Sequence, residues 1–99
     1  MRDGTMHLIL FSFDLEQEDQ DEFIRDVEQL QDYWQEQGFT VSLFCDMNHK
    51  NRFLQTILTD KTIDELSHLI QSNPDIQAMF DRLRDSESHV VVSCMEQIL

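Results

Sequence analysis

His7 and His89 open two apolar runs, HLILFSF and HVVVSC, and invite a metal-ligand or acid–base reading if those runs are neighbouring strands. Polar strand ends are the commoner use of histidine, and that is the reading adopted. Asp46, Asn48 and His49 bring an oxygen-rich cluster and an imidazole to one short polar segment, but their spacing matches no defined metal site. Ordinary turn polarity accounts for them. Cys45 and Cys94 each fall in a strand pattern without CxxC spacing, so the expectation is two buried free thiols; a bridge would need their strands adjacent. Trp34, Met79 and Phe80 could wall a pocket for an apolar molecule, although their helical spacing suits core packing. The sequence has no glycine-rich phosphate loop, no activated serine or cysteine arrangement and no basic–aromatic surface. No reaction is named by these residues.

The elements that must position them are clearer. From Gly38 to Asp60 the chain reads as two strands joined by the turn Asn48-His49-Lys50-Asn51. In the first, Phe39, Val41, Leu43, Cys45 and Met47 alternate with polar residues, and Phe44 is the apolar intruder on the other face. The second, Arg52 to Thr59, supplies Phe53, Leu54, Ile57 and Leu58, so both its faces are apolar. Met6 to Leu15 forms an earlier strand, with His7, Ile9, Phe11 and Phe13 on one side and Met6, Leu8, Leu10 and Ser12 on the other. Residues 1–5 are expected to fray.

Between these strands lies a helix from about Glu16 to Gln37. At 100° per residue, Phe23, Val27, Leu30 and Trp34 fall within an arc of about 60°. The acidic run from Glu16 to Glu28 is its solvated face, and Gly38 its C-terminal cap. After the hairpin, Thr62 to Glu65 has capping-box spacing, with Asp60 as a competing cap, and Ile63, Leu66, Leu69 and Ile70 form the next apolar face. Pro74 should break that helix, with Asn73 capping a second segment whose stripe is Ile76, Met79, Phe80 and Leu83. Ser86 to Ser88 connect to a last strand, His89 to Glu96.

Strand, helix, strand, strand, helix, strand is the ferredoxin-like βαββαβ order: α+β, a four-stranded antiparallel sheet with both helices on one face. The opposite face, with Phe44 and the apolar outer sides of the first and third strands, then needs cover. A second copy of the chain is the economical source, which places Phe44 at a dimer interface.

Composition bounds the rest. Ninety-nine residues make one domain, 1–99. A net charge of -13, from twenty acids against seven Lys and Arg, argues against nucleic-acid backbones and anionic membrane surfaces. No apolar run approaches the roughly 18 residues that cross a bilayer. The start, MRDGTMHLILF, runs directly into FDLEQED without a small-residue cleavage site, so a strand rather than a signal peptide is expected, and a cytoplasmic location by default.

The chain resembles the dimeric α/β-barrel proteins, in particular the group named after antibiotic-biosynthesis monooxygenases. The likeness rests on the MHLILFSF strand, the acidic helix ending at Gly38-Phe39 and the VSLFCD…NRFLQ hairpin. The broken helix EL…LIQSNPDIQAMFDRL and the VVVS strand complete it. The resemblance implies a homodimer with its two sheets face to face and a pocket in each subunit between sheet and helices. Phe11, Trp34, Met79 and Phe80 would then be ligand-binding. Such proteins include cofactor-free oxygenases, haem-degrading enzymes and many without known activity. The haem-degrading members carry an Asn on the first strand, a Trp near the end of the third and a His in the second helix. Here the first strand has no Asn and the third runs Gln55-Thr56-Ile57-Leu58. His68 lies about 140° from Ile63, on the wet side of its helix. No cofactor or metal is therefore expected. The expected function is a homodimeric module for a small apolar or aromatic ligand, the alternative a cofactor-free monooxygenase or isomerase; whether it is an enzyme stays open.

Overall fold

The computed structural model describes residues 5–85 and 90–99, with side chains described to Leu83 and from Val90. The elements run β1 His7–Asp14, α1 Gln17–Glu36, β2 Phe39–Cys45 and β3 Arg52–Thr59, then α2 Ile63–Ser72, α3 Pro74–Asp85 and β4 Val91–Glu96. All strand pairs are antiparallel, in the order β2-β3-β1-β4. This is the ferredoxin-like arrangement that the strand and helix order predicts.

The register aligns residues into rows across the sheet. Phe39–Thr59–His7–Glu96, Val41–Ile57–Ile9–Cys94 and Leu43–Gln55–Phe11–Val92 lie on one face. Ile9, Phe13, Phe39, Val41, Phe53 and Ile57 from that face are buried in one cluster with Phe23, Val27 and Trp34 of α1, Leu66 of α2, and Ile76, Met79 and Leu83 of α3. All three helices therefore cover the same side. Aromatic edges fix the packing. Phe13 meets Phe23 at 5.2 Å and Trp34 meets Phe39 at 5.8 Å, both edge to face.

Local chemistry sets the boundaries. Helix α1 ends because Gly38 adopts φ +91°, a left-handed conformation that costs glycine little, and its N–H donates to the Gln35 carbonyl. Thr62 starts α2: its Oγ1 accepts from the Glu65 N–H at 3.1 Å while its own N–H donates to Glu65 Oε2 at 2.8 Å. Asn73 separates α2 from α3, its Oδ1 accepting from the N–H groups of Asp75 and Ile76. Pro74 then occupies the first helical position, where its missing N–H is harmless. Across the helix layer, Arg82 of α3 pairs with Asp26 and, at 3.4 Å, with Glu22 of α1.

Several expectations need correction. Strand β2 stops at Cys45, because Asp46 turns back to accept backbone hydrogen bonds, and Met47 is almost fully exposed. Cys45 and Cys94 are free and exposed rather than buried. They belong to β2 and β4, the opposite edges of the sheet, so they cannot bridge within one chain. Ile63 is 43% exposed, since it stands in the first turn of α2, ahead of the buried contact at Leu66. Residues 1–4, the Ser86–Ser88 connection and His89 lie outside the described residues.

Candidate functional site

The helix-side face of the sheet carries the candidate ligand residues. Phe11 of β1 and Phe80 of α3 come together as a tilted ring pair, centroids 5.2 Å apart, and both are half-buried. Trp34 and Met79 sit in the adjoining core, essentially without exposure. Phe44 belongs to the other face of the sheet and is 55% exposed.

Sequence reasoning passed over Gln55. It lies between Leu43 and Phe11 on the helix side, has no exposed surface, and neither its amide nitrogen nor its oxygen has a partner among the described residues. The Trp34 indole N–H is likewise buried without an acceptor among the described residues. The signal was available: period-two alternation in Phe53-Leu54-Gln55-Thr56-Ile57 puts Gln55 between two core residues.

The other polar candidates have structural partners. The Nδ1–H of His7 donates to the Lys61 carbonyl at 3.0 Å, and its cross-strand neighbour is Glu96. Asp46 Oδ1 accepts from the Asn48 N–H at 2.7 Å and the His49 N–H at 3.3 Å, which closes the hairpin turn. The Asn48 bond holds the Asp46 carboxyl below the ordinary aspartate range, against some desolvation; the His49 N–H and the charges of His49 and Arg52 reinforce the lowering. Among the described residues no group of three or more His, Cys, Asp or Glu could hold a metal ion. His68 is exposed and lines a groove of about 460 Å³ with Tyr33, Lys61 and Glu65, between the end of α1 and α2. A second cleft, about 520 Å³, lies between the start of α1 and α3, walled by Leu15, Phe23 and Leu83 with Asp19, Asp81 and Arg82. Neither includes Phe11, Trp34 or Phe80. No helix among the described residues is long and apolar enough to cross a membrane.

The opposite face of the sheet is open. Its rows are Phe44–Leu54–Ser12–Val91, Ser42–Thr56–Leu10–Ser93 and Thr40–Leu58–Leu8–Met95. Two rows rich in apolar side chains thus flank a central row of three hydroxyls and Leu10. Phe44, Leu58, Val91 and Met95 are between 37% and 55% exposed.

This fold is shared with solved structures of proteins assigned provisionally as antibiotic biosynthesis monooxygenases. One from Caulobacter crescentus superposes with a TM-score of 0.77 at 12% identity, over 96% of this chain and 92% of that one. Another, from Bordetella bronchiseptica, gives 0.74 at 16% identity, over 96% and 99%. A Bacteroides thetaiotaomicron protein of unknown function, described as a possible oxidoreductase, gives 0.75 at 8% identity, over 94% and 98%. No family model matches the sequence, and no curated protein does. At these identities the likeness establishes the fold alone and leaves the chemistry to the residues.

Proposed function

We propose that the chain is a homodimeric α/β-barrel module whose two open sheet faces pack on each other, and that each subunit takes a small apolar or aromatic ligand between sheet and helices. The open face is the observation that carries this reading. Phe44, Leu54, Leu58, Leu8, Val91 and Met95 share that face across all four strands. Burying such side chains contributes about 25 cal/mol per Å² of apolar area, before association costs are subtracted. The acidic run of α1 lies on the helix layer, away from this face, so the net charge does not oppose face-to-face packing.

The half-buried Phe11–Phe80 pair marks the ligand site, with Trp34 and Met79 as its apolar floor. The alternative, a cofactor-free monooxygenase or isomerase, draws support from the names given to the structural neighbours. It lacks a residue set, since His7 and Asp46 are engaged with backbone partners. Oxygen uptake with an aromatic substrate would favour that alternative.

Replacing Phe44 by Asp puts a charge in the middle of the proposed contact and should give a monomer in sedimentation velocity at micromolar concentration, against a dimer for the unmodified protein. A monomer for both proteins would overturn the dimer.

A further inference from the structure

The groove of about 460 Å³ between the end of α1 and α2 is built around a lysine whose base is fixed in place. The Lys61 N–H donates to the Thr59 hydroxyl oxygen at 3.1 Å, and the Lys61 carbonyl accepts from His7 Nδ1–H at 3.0 Å. Thr59 is itself buried, and its hydroxyl donates to the Gly38 carbonyl at 2.8 Å. The lysine side chain then runs over Gly38: a Cβ there would stand 2.6 Å from Lys61 Cε and 3.7 Å from Nζ. The glycine thus leaves room for the ammonium at the C-terminal end of α1.

Lys61 is half-buried, and among the described residues its ammonium has no ion-pair or hydrogen-bond partner; the ion pairs belong to Arg52 and Arg82. A charge drawn partly out of water without a counter-charge is open to an anionic group. Two carboxylates line the same groove beyond ion-pair distance of it, Glu36 on the α1 wall and Glu65 on the α2 wall. Glu65 is held by its own cap, Oε2 accepting from the Thr62 N–H at 2.8 Å. Phe39 and Leu69 add apolar surface to the lining.

We propose that this groove binds a small zwitterion, an aliphatic amino acid whose carboxylate pairs with Lys61 and whose ammonium is taken by Glu36 and Glu65. A simple anion would meet two carboxylates and a chain with a net charge of -13, and a simple cation would meet the fixed ammonium. A molecule carrying both signs pairs with both and adds no net charge. The aliphatic part follows from Phe39 and Leu69, and the volume falls within the roughly 300–1,000 Å³ of small-molecule sites. None of Phe11, Trp34, Met79 and Phe80 lines this groove, so the proposal goes beyond the ligand reading above. The groove belongs to the helix layer, and face-to-face packing of the open sheet faces leaves it accessible.

The test uses L-leucine and two analogues that each lack one of its charges, 4-methylpentanoate and 3-methylbutylamine, titrated at neutral pH and followed by NMR. In the unmodified protein, leucine should saturably shift the Tyr33 and His68 ring resonances and the Leu69 methyls. It should bind at least about threefold tighter than either analogue, the scale of one partly exposed ion pair. Lys61→Met keeps a stem over Gly38 and should abolish the advantage over 3-methylbutylamine while keeping that over 4-methylpentanoate. Glu36→Gln combined with Glu65→Gln, which leaves an amide oxygen for the Thr62 cap, should do the reverse. Leucine no tighter than one or both analogues would overturn the zwitterion, as would Lys61→Met lowering both advantages alike. No movement of Tyr33, His68 and Leu69 with any probe at tens of millimolar would overturn the groove as a binding site and leave the Phe11–Phe80 reading untouched. Should either variant fail to fold, the comparison of the three probes on the unmodified protein still decides the matter.

Discussion

The primary amide of Gln55 offers two N–H donors and a carbonyl acceptor, all enclosed and all unpaired among the described residues. Leaving one buried polar group unpaired costs about 1–3 kcal/mol, while an apolar replacement of similar shape removes that cost. Met keeps the unbranched length of Gln and adapts to irregular gaps, so the repacking cost of Gln55→Met should stay below about 1.5 kcal/mol. The amide nitrogen and oxygen belong to one group, so their penalties overlap and do not simply add. After that repacking cost the net expectation runs from no change to a gain of about 3 kcal/mol. In a domain of this size each kcal/mol gained corresponds to about 4–8 °C in Tm. Urea unfolding followed by circular dichroism, at fixed protomer concentration and without added ligand, measures it. An unchanged slope in urea would show a change in stability without a change in the compactness of the folded or the unfolded state. A loss of 1 kcal/mol or more would show that the amide is paired in solution, and its reading as an unpartnered buried group would fall.

Other outcomes follow from single positions. Gly38→Ala should destabilise by about 1–2 kcal/mol, because φ +91° is costly for any residue with a Cβ. The nearest atom to that Cβ is Lys61 Cε, at 2.6 Å, the movable part of a flexible side chain, so backbone strain sets the cost. Stability within 0.3 kcal/mol of the parent by urea unfolding would refute this. Asp46 should titrate below its ordinary value of 3.8, chiefly through the Asn48 N–H bond. A carboxyl lowered in the folded state contributes stability that is complete above its unfolded value and lost as pH falls through the folded one. The hairpin turn should therefore loosen only in acid below that value, with the Asp46 carboxyl carbon and the Asn48 amide moving together in NMR. A midpoint at or above 3.8 would contradict the turn geometry.

Much of the fold was legible because its boundaries are written in residues with one strong use each. Gly38, Thr62 with Glu65, and Asn73-Pro74 each place a helix end within a residue or two. Alternation along β1 and β3 also assigned their faces. The misses fall where sequence pattern does not encode coverage. Cys45 and Cys94 alternate like core residues, yet each lies on an edge strand, where the register supplies a neighbour on one side only. Ile63 keeps helical phase but precedes the turn that touches the sheet. Gln55 was the most informative miss. Its polarity breaks an otherwise apolar alternation, and only the register across β2, β3 and β1 shows that it stands between Leu43 and Phe11.

The central claim is that two copies meet through their open sheet faces, and contacts between protomers test it most directly. Mixing isotopically labelled with unlabelled protein and recording filtered NOEs reads only contacts that cross from one copy to the other. The account predicts cross-protomer NOEs from Phe44 to the side chains of that same face, Leu8, Leu54, Leu58 and Met95, and none from core residues such as Phe23 or Ile76. Cross-protomer NOEs confined to the helix surface, or none at millimolar concentration, would contradict it.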